Sequence, residues 1–238
     1  MMVNKLLVVT LLALAVLVSG CSRGPEDAKK DLSQMNVQYS EQSFINVIEK
    51  NDVKAVKLFL EAGMNPNSVT AEGTPLLTAA AAGNLEIAKL LVEKGGNVNE
   101  KDKDGMTPLM AAIFGEKDGT PKQEMVKYLL EKGADLNTRF ITNGVGLTPL
   151  MAAAGAKDLE VVKILLSKKI DINAPDVNTG MTPLMLATTN DNVEIVKELL
   201  SKGADVNKKG KANMTALGLA MQNNNAEMIK VLKNAGAK

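Results

Sequence analysis

Few side chains in this 238-residue sequence belong to the types that perform chemistry. Cys21 is the only cysteine, and there is no histidine, which is the commonest general base and metal ligand in proteins. The sequence also has no glycine-rich loop with the spacing of a phosphate-binding motif. It therefore predicts no catalytic residues and no cofactor, and Cys21 is left as the one group with a chemical role of its own.

Cys21 follows an apolar segment near the start of the chain. Lys5 precedes an apolar run over residues 6–18, which is shorter than the roughly 20 residues of a membrane-spanning helix and fits a signal peptide. The run ends in Val18-Ser19-Gly20-Cys21, which resembles the lipobox of bacterial lipoproteins. The resemblance implies a signal peptide at 1–20 and acylation of Cys21. The alternatives are an ordinary signal peptide with an incidental cysteine, or an uncleaved anchor helix.

The segment after Cys21 is polar. Residues 21–40 mix both signs of charge and contain Gly24-Pro25, so they are predicted to form a flexible tether with a reach of about 25 Å. A short helix from Asp27 to Met35 is the alternative. Ser22 stands where an aspartate typically retains a lipoprotein in the inner membrane. By resemblance, its absence favours a lipid anchor in the outer membrane that faces the periplasm.

Five copies of one motif divide the rest of the chain at nearly equal intervals. Thr-Pro-Leu begins at residues 74, 107, 148 and 182, and Thr215-Ala216-Leu217 is a variant of it. Spacings of 33, 41, 34 and 33 residues are typical of a stacked repeat array. In each copy threonine suits an N-cap, proline suits the first helical position, and an amphipathic helical pattern follows. An upstream segment, Phe44 to Asn67, is predicted to be a degenerate first copy.

These copies resemble the ankyrin repeat. An alanine lies five residues after each threonine, and most copies end in a pattern such as Gly203-Ala204-Asp205-Val206-Asn207. The resemblance implies an all-α repeat solenoid in which helix-turn-helix units are joined by β-hairpin loops. It covers residues 41–238 in about six copies, with approximate bounds 41–73, 74–106, 107–147, 148–181, 182–214 and 215–238.

Two sets of repeat-spaced residues have the composition of metal ligands. Met110, Met151 and Met185 are the first set, and core packing explains them better than copper binding. Aspartate and asparagine at 135/137, 171/173 and 205/207 are the second set, and they lack the glycine and distal glutamate of a calcium loop. We expect the second set to form turns, and we predict no metal site.

The charge balance bears on the class of partner. From residue 21 onward the chain has 27 basic and 27 acidic residues, without a block of one sign. Nucleic-acid binding needs a basic surface, so this composition argues against it. We expect a monomer whose partners are a protein and, through the lipid, a membrane.

The third copy is the most irregular. About five extra residues lie in 115–121 and about three in the hairpin over 138–146, and such insertions often map to a binding face. The alternative is drift, because surface loops lengthen at little cost. Arg139, Phe140 and Ile141 are predicted to project from this hairpin and to anchor a partner, since arginine and aromatic side chains dominate interfaces.

The ankyrin resemblance also implies a concave binding surface made of hairpin tips and first helices. By alignment, the first-helix positions on it are Ala81, Phe114, Gly155, Thr189 and Gln222. The predicted partner-binding residues are Met106, Phe114, Arg139, Phe140, Ile141, Leu147, Met181 and Met214. The alternative is that the methionine and leucine side chains among them pack under the adjacent hairpin.

The sequence therefore predicts a membrane-anchored protein-binding module that docks a protein partner in the bacterial periplasm or cell envelope. The alternative is an inhibitor, for example an immunity protein that blocks a periplasmic toxin or enzyme. An enzyme is the least expected class, because the chemical groups that it would need are missing.

Overall fold

The computed structural model describes residues 24–115, 122–142 and 144–238, and in these ranges the chain is a stack of helix pairs. Helix α1 (Pro25–Gln34) comes first, and six pairs follow, which we number repeats 1 to 6. The pairs are α2 (Glu41–Glu49) with α3 (Val53–Glu61), α4 (Pro75–Ala81) with α5 (Leu85–Glu93), α6 (Pro108–Phe114) with α7 (Lys122–Glu131), α8 (Pro149–Gly155) with α9 (Leu159–Leu166), α10 (Pro183–Thr189) with α11 (Val193–Ser201), and α12 (Ala216–Gln222) with α13 (Ala226–Asn234).

The predicted all-α repeat solenoid is confirmed, with one small antiparallel sheet in its described part. Strands β1 (Phe140–Thr142) and β2 (Val145–Leu147) form the hairpin after repeat 3, with Phe140 opposite Leu147. The hairpin after repeat 5 contains instead a 3₁₀ turn, Lys211–Asn213. The loops thus differ in form from one repeat to the next, although the helix pairs are alike.

The threonine of each motif starts the first helix of its repeat, as predicted. Its hydroxyl accepts a hydrogen bond of 3.1 to 3.3 Å from the backbone N–H three residues later. Proline occupies the next position in repeats 2 to 5, where its missing N–H costs nothing. In repeat 1, which has no such motif, Ser40 caps α2 in the same way. The caps therefore set the common start of the units.

Successive repeats bury one continuous apolar core. Met110 and Met185 lie within it, and Met151 is also fully buried, which confirms that these methionines are interior packing residues. The backbone N–H groups of Asn137, Asn173 and Asn207 each donate to the aspartate side chain two residues earlier, so the predicted turns are also confirmed. Within the described residues, no group of histidine, cysteine and acidic side chains has the arrangement of a metal site.

Asparagine side chains tie most repeats to their successors. The Asn67 amide donates to the Gly95 carbonyl oxygen and accepts from the Asn97 N–H. Asn99 bonds in the same way to Gly133 and Asp135. Further along the chain, the Asn173 side-chain oxygen accepts from Asp205, and Asn207 bonds to Gly236 and Lys238. We call these bonds the asparagine links.

The predicted tether is corrected by helix α1. Its residues Ala28 and Leu32 are fully buried, and the helix packs on α3. Tyr39 then stacks on the Phe59 ring at 5.6 Å, and its hydroxyl donates to the Ala62 carbonyl oxygen. Residues four positions apart lie on the same face of a helix, so these two apolar side chains are enough to bury one face of α1. Residues 25–34 are therefore a cap on the open end of repeat 1.

Residues 1–23 fall outside the described ranges, and with them the predicted signal peptide and the predicted lipidation of Cys21. Where the structure describes the chain, none of its helices has the length and apolar character needed to cross a membrane.

Candidate partner-binding site

A cavity among the described residues lies between the first helices of repeats 3 and 4, and we call it the α6–α8 cavity. Its volume is about 360 Å³, and most of its lining is apolar. Helices α6 and α8 form the walls, while α7, β2 and α10 each add one side chain. The lining residues are Ile113, Phe114, Lys122, Leu147, Met151, Ala152, Gly155, Ala156 and Leu186.

Unequal spacing of the first helices accounts for the position of this cavity. Helix α6 lies very close to α4. A Cβ atom on Gly115, at the end of α6, would stand only 2.5 Å from the Ala81 carbonyl oxygen. Only glycine permits this approach. On the opposite side of α6, the space towards α8 holds the cavity, and Gly155 is the one lining residue without a side chain. Gly155 itself is not crowded, since a Cβ atom there would make ordinary contacts with Leu186 and Asn190.

The wall made by Phe114 is supported by the long hairpin. The Phe140 ring meets the Phe114 ring edge to face, with centroids 6.0 Å apart and planes at 60°. Such pairs contribute about 0.5 to 1.5 kcal/mol beyond the area that they bury. Phe140 is half-buried against the core. The hairpin of repeat 3 therefore fixes the shape of the cavity as well as extending beyond it.

A buried carboxylate holds that hairpin to the next one. Asp176, in the hairpin after repeat 4, is 1% exposed. It accepts hydrogen bonds from the Gly146 N–H at 2.6 Å and from the N–H and hydroxyl of Thr179, each at 2.6 Å. Burial by itself raises the pKa of Asp176, but the hydrogen bonds outweigh burial and lower the pKa from 3.8 to about 2. The carboxylate is thus charged at neutral pH and joins the hairpins.

The predicted binding residues fall into three groups in the structure. Phe114 and Leu147 line the α6–α8 cavity. Met106, Met181 and Met214 are half-buried and pack on the core, which is the packing alternative stated for them. The hairpin residues form the third group, and they differ among themselves.

Of the three hairpin residues, Ile141 alone projects as predicted, with 64% of its surface exposed. The expectation is corrected for Arg139, whose guanidinium donates to the Pro175 carbonyl oxygen at 2.8 Å and so joins two hairpins. It is corrected also for Phe140, whose ring packs on Phe114. Val177, on the neighbouring hairpin, is exposed to 62% and was not predicted. Whether these residues contact a partner stays a prediction.

Only some of the residues that line the cavity were identified from the sequence. Gly155 was placed on the binding surface by its position in the repeat, but Met151, Leu186 and Lys122 were not connected with a site. Met151 carried the signal of a core residue, and its backbone position gives no sign that one edge borders a cavity. The spacing between neighbouring helices is what brings these side chains together.

The fold and the cavity define a class: a tandem array of helix pairs with an apolar recess between first helices. Family models described as "Ankyrin repeats (3 copies)" match residues 44–140 and 137–210, and one described as "Ankyrin repeats (many copies)" matches residues 190–232. The chain therefore belongs to the ankyrin-repeat family.

Several known proteins are similar to parts of this chain. Ankyrin repeat and SAM domain-containing protein 6 of Rattus norvegicus is 38% identical over 109 residues, which are 45% of this chain and 12% of that protein. A putative ankyrin repeat protein of Rickettsia bellii is 28% identical over 170 residues, or 56% of this chain and 70% of that protein. A putative ankyrin repeat-containing protein of Treponema pallidum is 33% identical over 129 residues, or 53% and 40%. The matched region is thus a small part of the rat protein.

Proposed function

We propose that this chain is a protein-binding module that docks a segment of a partner protein at the α6–α8 cavity. The carrying observation is a recess of about 360 Å³ with apolar walls on an ankyrin-repeat array. Ligand-binding recesses of about 300 to 1,000 Å³ are mostly apolar with a few polar groups, and this cavity has that composition. The module acts as a monomer and without catalytic activity of its own.

The hairpin tips extend the proposed surface. Ile141 and Val177 are exposed apolar residues on adjacent hairpins, and Val177 lies beside Gly146, the strand partner of Ile141. Exposed apolar residues on neighbouring loops favour an interaction surface over plain solvent contact. A partner segment seated in the cavity can therefore be contacted by these tips as well.

Photo-crosslinking in living cells tests this proposal. A photoreactive residue replaces Ala156, which is exposed at the cavity rim, and a matched control carries it at Glu131, exposed at the end of α7. We expect a defined crosslinked protein from position 156 and none from position 131. In the variant Gly155→Leu, which adds a bulky side chain to the cavity lining beside Leu186, the crosslink should disappear. The same crosslinked protein from both positions would contradict docking at the cavity.

The variant Gly155→Ala controls for damage to the fold. Gly155 is helical, and alanine there makes ordinary contacts, so its higher helix propensity should raise stability by up to about 1 kcal/mol. It adds one carbon atom to the cavity and should leave the crosslink in place. If Gly155→Leu and Gly155→Ala both lose the crosslink while their unfolding midpoints stay normal, the loss is not caused by filling of the cavity.

The proposal includes a lipid anchor at Cys21 in the bacterial cell envelope, with the outer membrane facing the periplasm favoured. It is supported by the lipobox-like Val18-Ser19-Gly20-Cys21 and by the lack of any other cysteine. More than one acyl chain on Cys21 would anchor the chain stably. The variant Cys21→Ala should lose metabolic labelling with palmitate and leave the membrane fraction, or stay unprocessed. Labelling that persists in this variant would rule out Cys21 as the acceptor.

A further inference from the structure

We propose that the segment docked at the α6–α8 cavity is acidic and apolar: a large apolar side chain enters the cavity, and carboxylates beside it pair with Lys122 and Lys157. This inference rests on the proposed function and adds the chemistry of the partner. It follows from the charges at the rim, the backbone at Lys157 and the size of the cavity.

The rim of the cavity has positive charges without counter-ions among the described residues. Lys122 belongs to the lining, and Lys157 follows the lining residue Ala156; neither makes an ion pair there.

Three acids near the starts of α7 and α9 are already engaged. Glu124 pairs with Lys127 at 3.0 Å, and Glu160 pairs with Lys163 at 2.7 Å. The Asp158 carboxylate accepts the Val161 N–H at the start of α9. Within the described ranges, Lys122 and Lys157 are thus uncompensated and available to the carboxylates of a partner, and complementary charge speeds encounter and selects among partners.

The backbone at Lys157 sets this residue apart from its equivalents. Where the structure describes the turn between the two helices of a repeat, one residue lies in the left-handed region. In repeats 1, 2, 5 and 6 that residue is Asn51, Gly83, Asp191 or Asn224. Glycine, asparagine and aspartate tolerate this conformation, whereas lysine at φ 60° is unfavourable. Residues kept in sparsely populated conformations cluster at binding sites. Here the unfavourable residue is an exposed lysine that directly follows the lining residue Ala156.

The volume of the cavity indicates the size of the apolar group. An apolar cavity of about 150 Å³ is known to take a benzene molecule. At about 360 Å³, the α6–α8 cavity has room for an aromatic side chain or for two aliphatic ones. An acidic side chain by itself would leave the apolar walls without contacts, so the apolar anchor and the flanking acids are both required.

Selection from a display library of short random peptides on the purified full chain tests the inference. We expect the enriched peptides to combine a large apolar residue with two or more acidic residues. A synthetic peptide of the enriched sequence should lose affinity at least tenfold in Gly155→Leu and keep it in Gly155→Ala. The double variant Lys122→Glu and Lys157→Glu should lose about tenfold, with a weaker dependence on salt, as expected for two rim charges.

Two further variants separate charge from backbone effects. Lys157→Asn removes the charge but suits the left-handed backbone, so it should weaken binding while leaving the unfolding midpoint equal or higher. Lys168→Glu reverses an exposed lysine at the end of α9, away from the cavity lining, and should leave binding within twofold. If Lys168→Glu loses as much affinity for the peptide as the Lys122/Lys157 double variant, the effect comes from the net charge of the protein, and the inference is overturned.

The outcomes also distinguish this inference from the proposed function. Enrichment of apolar peptides without acids, blocked by Gly155→Leu, would overturn the acidic partner and support docking at the cavity. Binding of acidic, apolar peptides without any crosslink from position 156 in cells would support the inference and contradict the proposed function. Self-association of the full chain that Gly155→Leu abolishes would assign the cavity to a second copy and overturn the inference.

Discussion

The backbone N–H of Gly146 donates a 2.6 Å hydrogen bond to the carboxylate of Asp176, and this bond joins the hairpins that follow repeats 3 and 4. Arg139 and Asn178 add bonds between the same hairpins, to the carbonyl oxygens of Pro175 and Gly144. The hairpin after repeat 3 also bears Leu147, which lines the α6–α8 cavity, and Phe140, which packs on Phe114. The bonds of Asp176 therefore hold the hairpin that borders the cavity.

The variant Asp176→Asn should destabilise the protein at neutral pH. Asparagine keeps the shape of the side chain but loses the charge that its hydrogen bonds stabilise. A pKa lowered from 3.8 to about 2 corresponds to about 2 kcal/mol of unfolding free energy. Because the pKa is depressed in the folded state, this contribution is present above about pH 4 and is lost as the pH falls towards 2. Urea unfolding at pH 7 and at pH 3 measures it.

Asp102→Asn is the matched control for this prediction. The Asp102 carboxylate accepts from the N–H groups of Asp104 and Met106, which belong to its own hairpin. Its replacement should cost less than about 1 kcal/mol, because no bond between repeats is lost. If both variants cost the same at pH 7, or if the difference persists unchanged at pH 3, the role of the Asp176 charge is contradicted.

The asparagine links predict a second difference between repeats. Asn99 bonds to Gly133 and Asp135 of the next repeat, whereas the Asn137 side chain makes no such bond within the described residues. The reason lies after α9, where Lys169 stands in place of the left-handed glycine found at Gly133. Asn99→Ala should cost about 1 to 2 kcal/mol of unfolding free energy, and Asn137→Ala less than about 0.5 kcal/mol. Urea midpoints compare the two, and equal losses would contradict the missing link.

The repeats and their caps were predictable because their signals are local. A threonine followed by proline sets the start of a helix through its own hydroxyl and ring, and the period of the motif sets the stacking. A tether was preferred to helix α1, which was only the alternative, because Ala28 and Leu32 are its only buried residues and the rest of the segment is polar. Its burial depends on the face that α3 offers, which the segment itself does not encode.

The cavity was not predictable for a related reason. It depends on how neighbouring repeats pack, through contacts such as that of Gly115 with Ala81 and that of Gly146 with Asp176. These are contacts between residues about 30 positions apart. The repeat pattern named Phe114, Gly155 and Leu147 as surface positions, and all three line the cavity, but an average repeat has no recess at that place. Irregular spacing is visible only once the repeats are assembled.

Phe140 and Ile141 provide a matched pair on one strand. Phe140→Ala should cost about 2 to 3 kcal/mol, because the ring is half-buried and packs on Phe114. Ile141→Ala should change stability by less than about 0.5 kcal/mol, since that side chain is mostly exposed. The midpoints of urea unfolding measure both effects. If Phe140→Ala leaves the unfolding free energy nearly unchanged, the packing of the ring on Phe114 is contradicted, and Phe140 fits the sequence-based prediction of a projecting anchor.

The two ends of the array should differ in protection from hydrogen exchange. Helix α1 covers repeat 1, and its residue Leu32 is fully buried. At the other end of the array, α12, the first helix of repeat 6, leaves 47% of the Met221 surface exposed. Terminal units of a repeat array have one neighbour and open at lower cost, and a cap supplies the missing contacts. Amides of α2 and α3 should therefore exchange more slowly than those of α12 and α13.

The variant Leu32→Ala should lower protection in α1 to α3 and leave α12 and α13 unchanged. The variant Gln34→Ala, at an exposed position on the same helix, should alter neither end. Mass spectrometry of the exchanged peptides gives the result, and an N-terminal end that exchanges as fast as the C-terminal end in the unmodified chain would contradict the role of α1 as a cap.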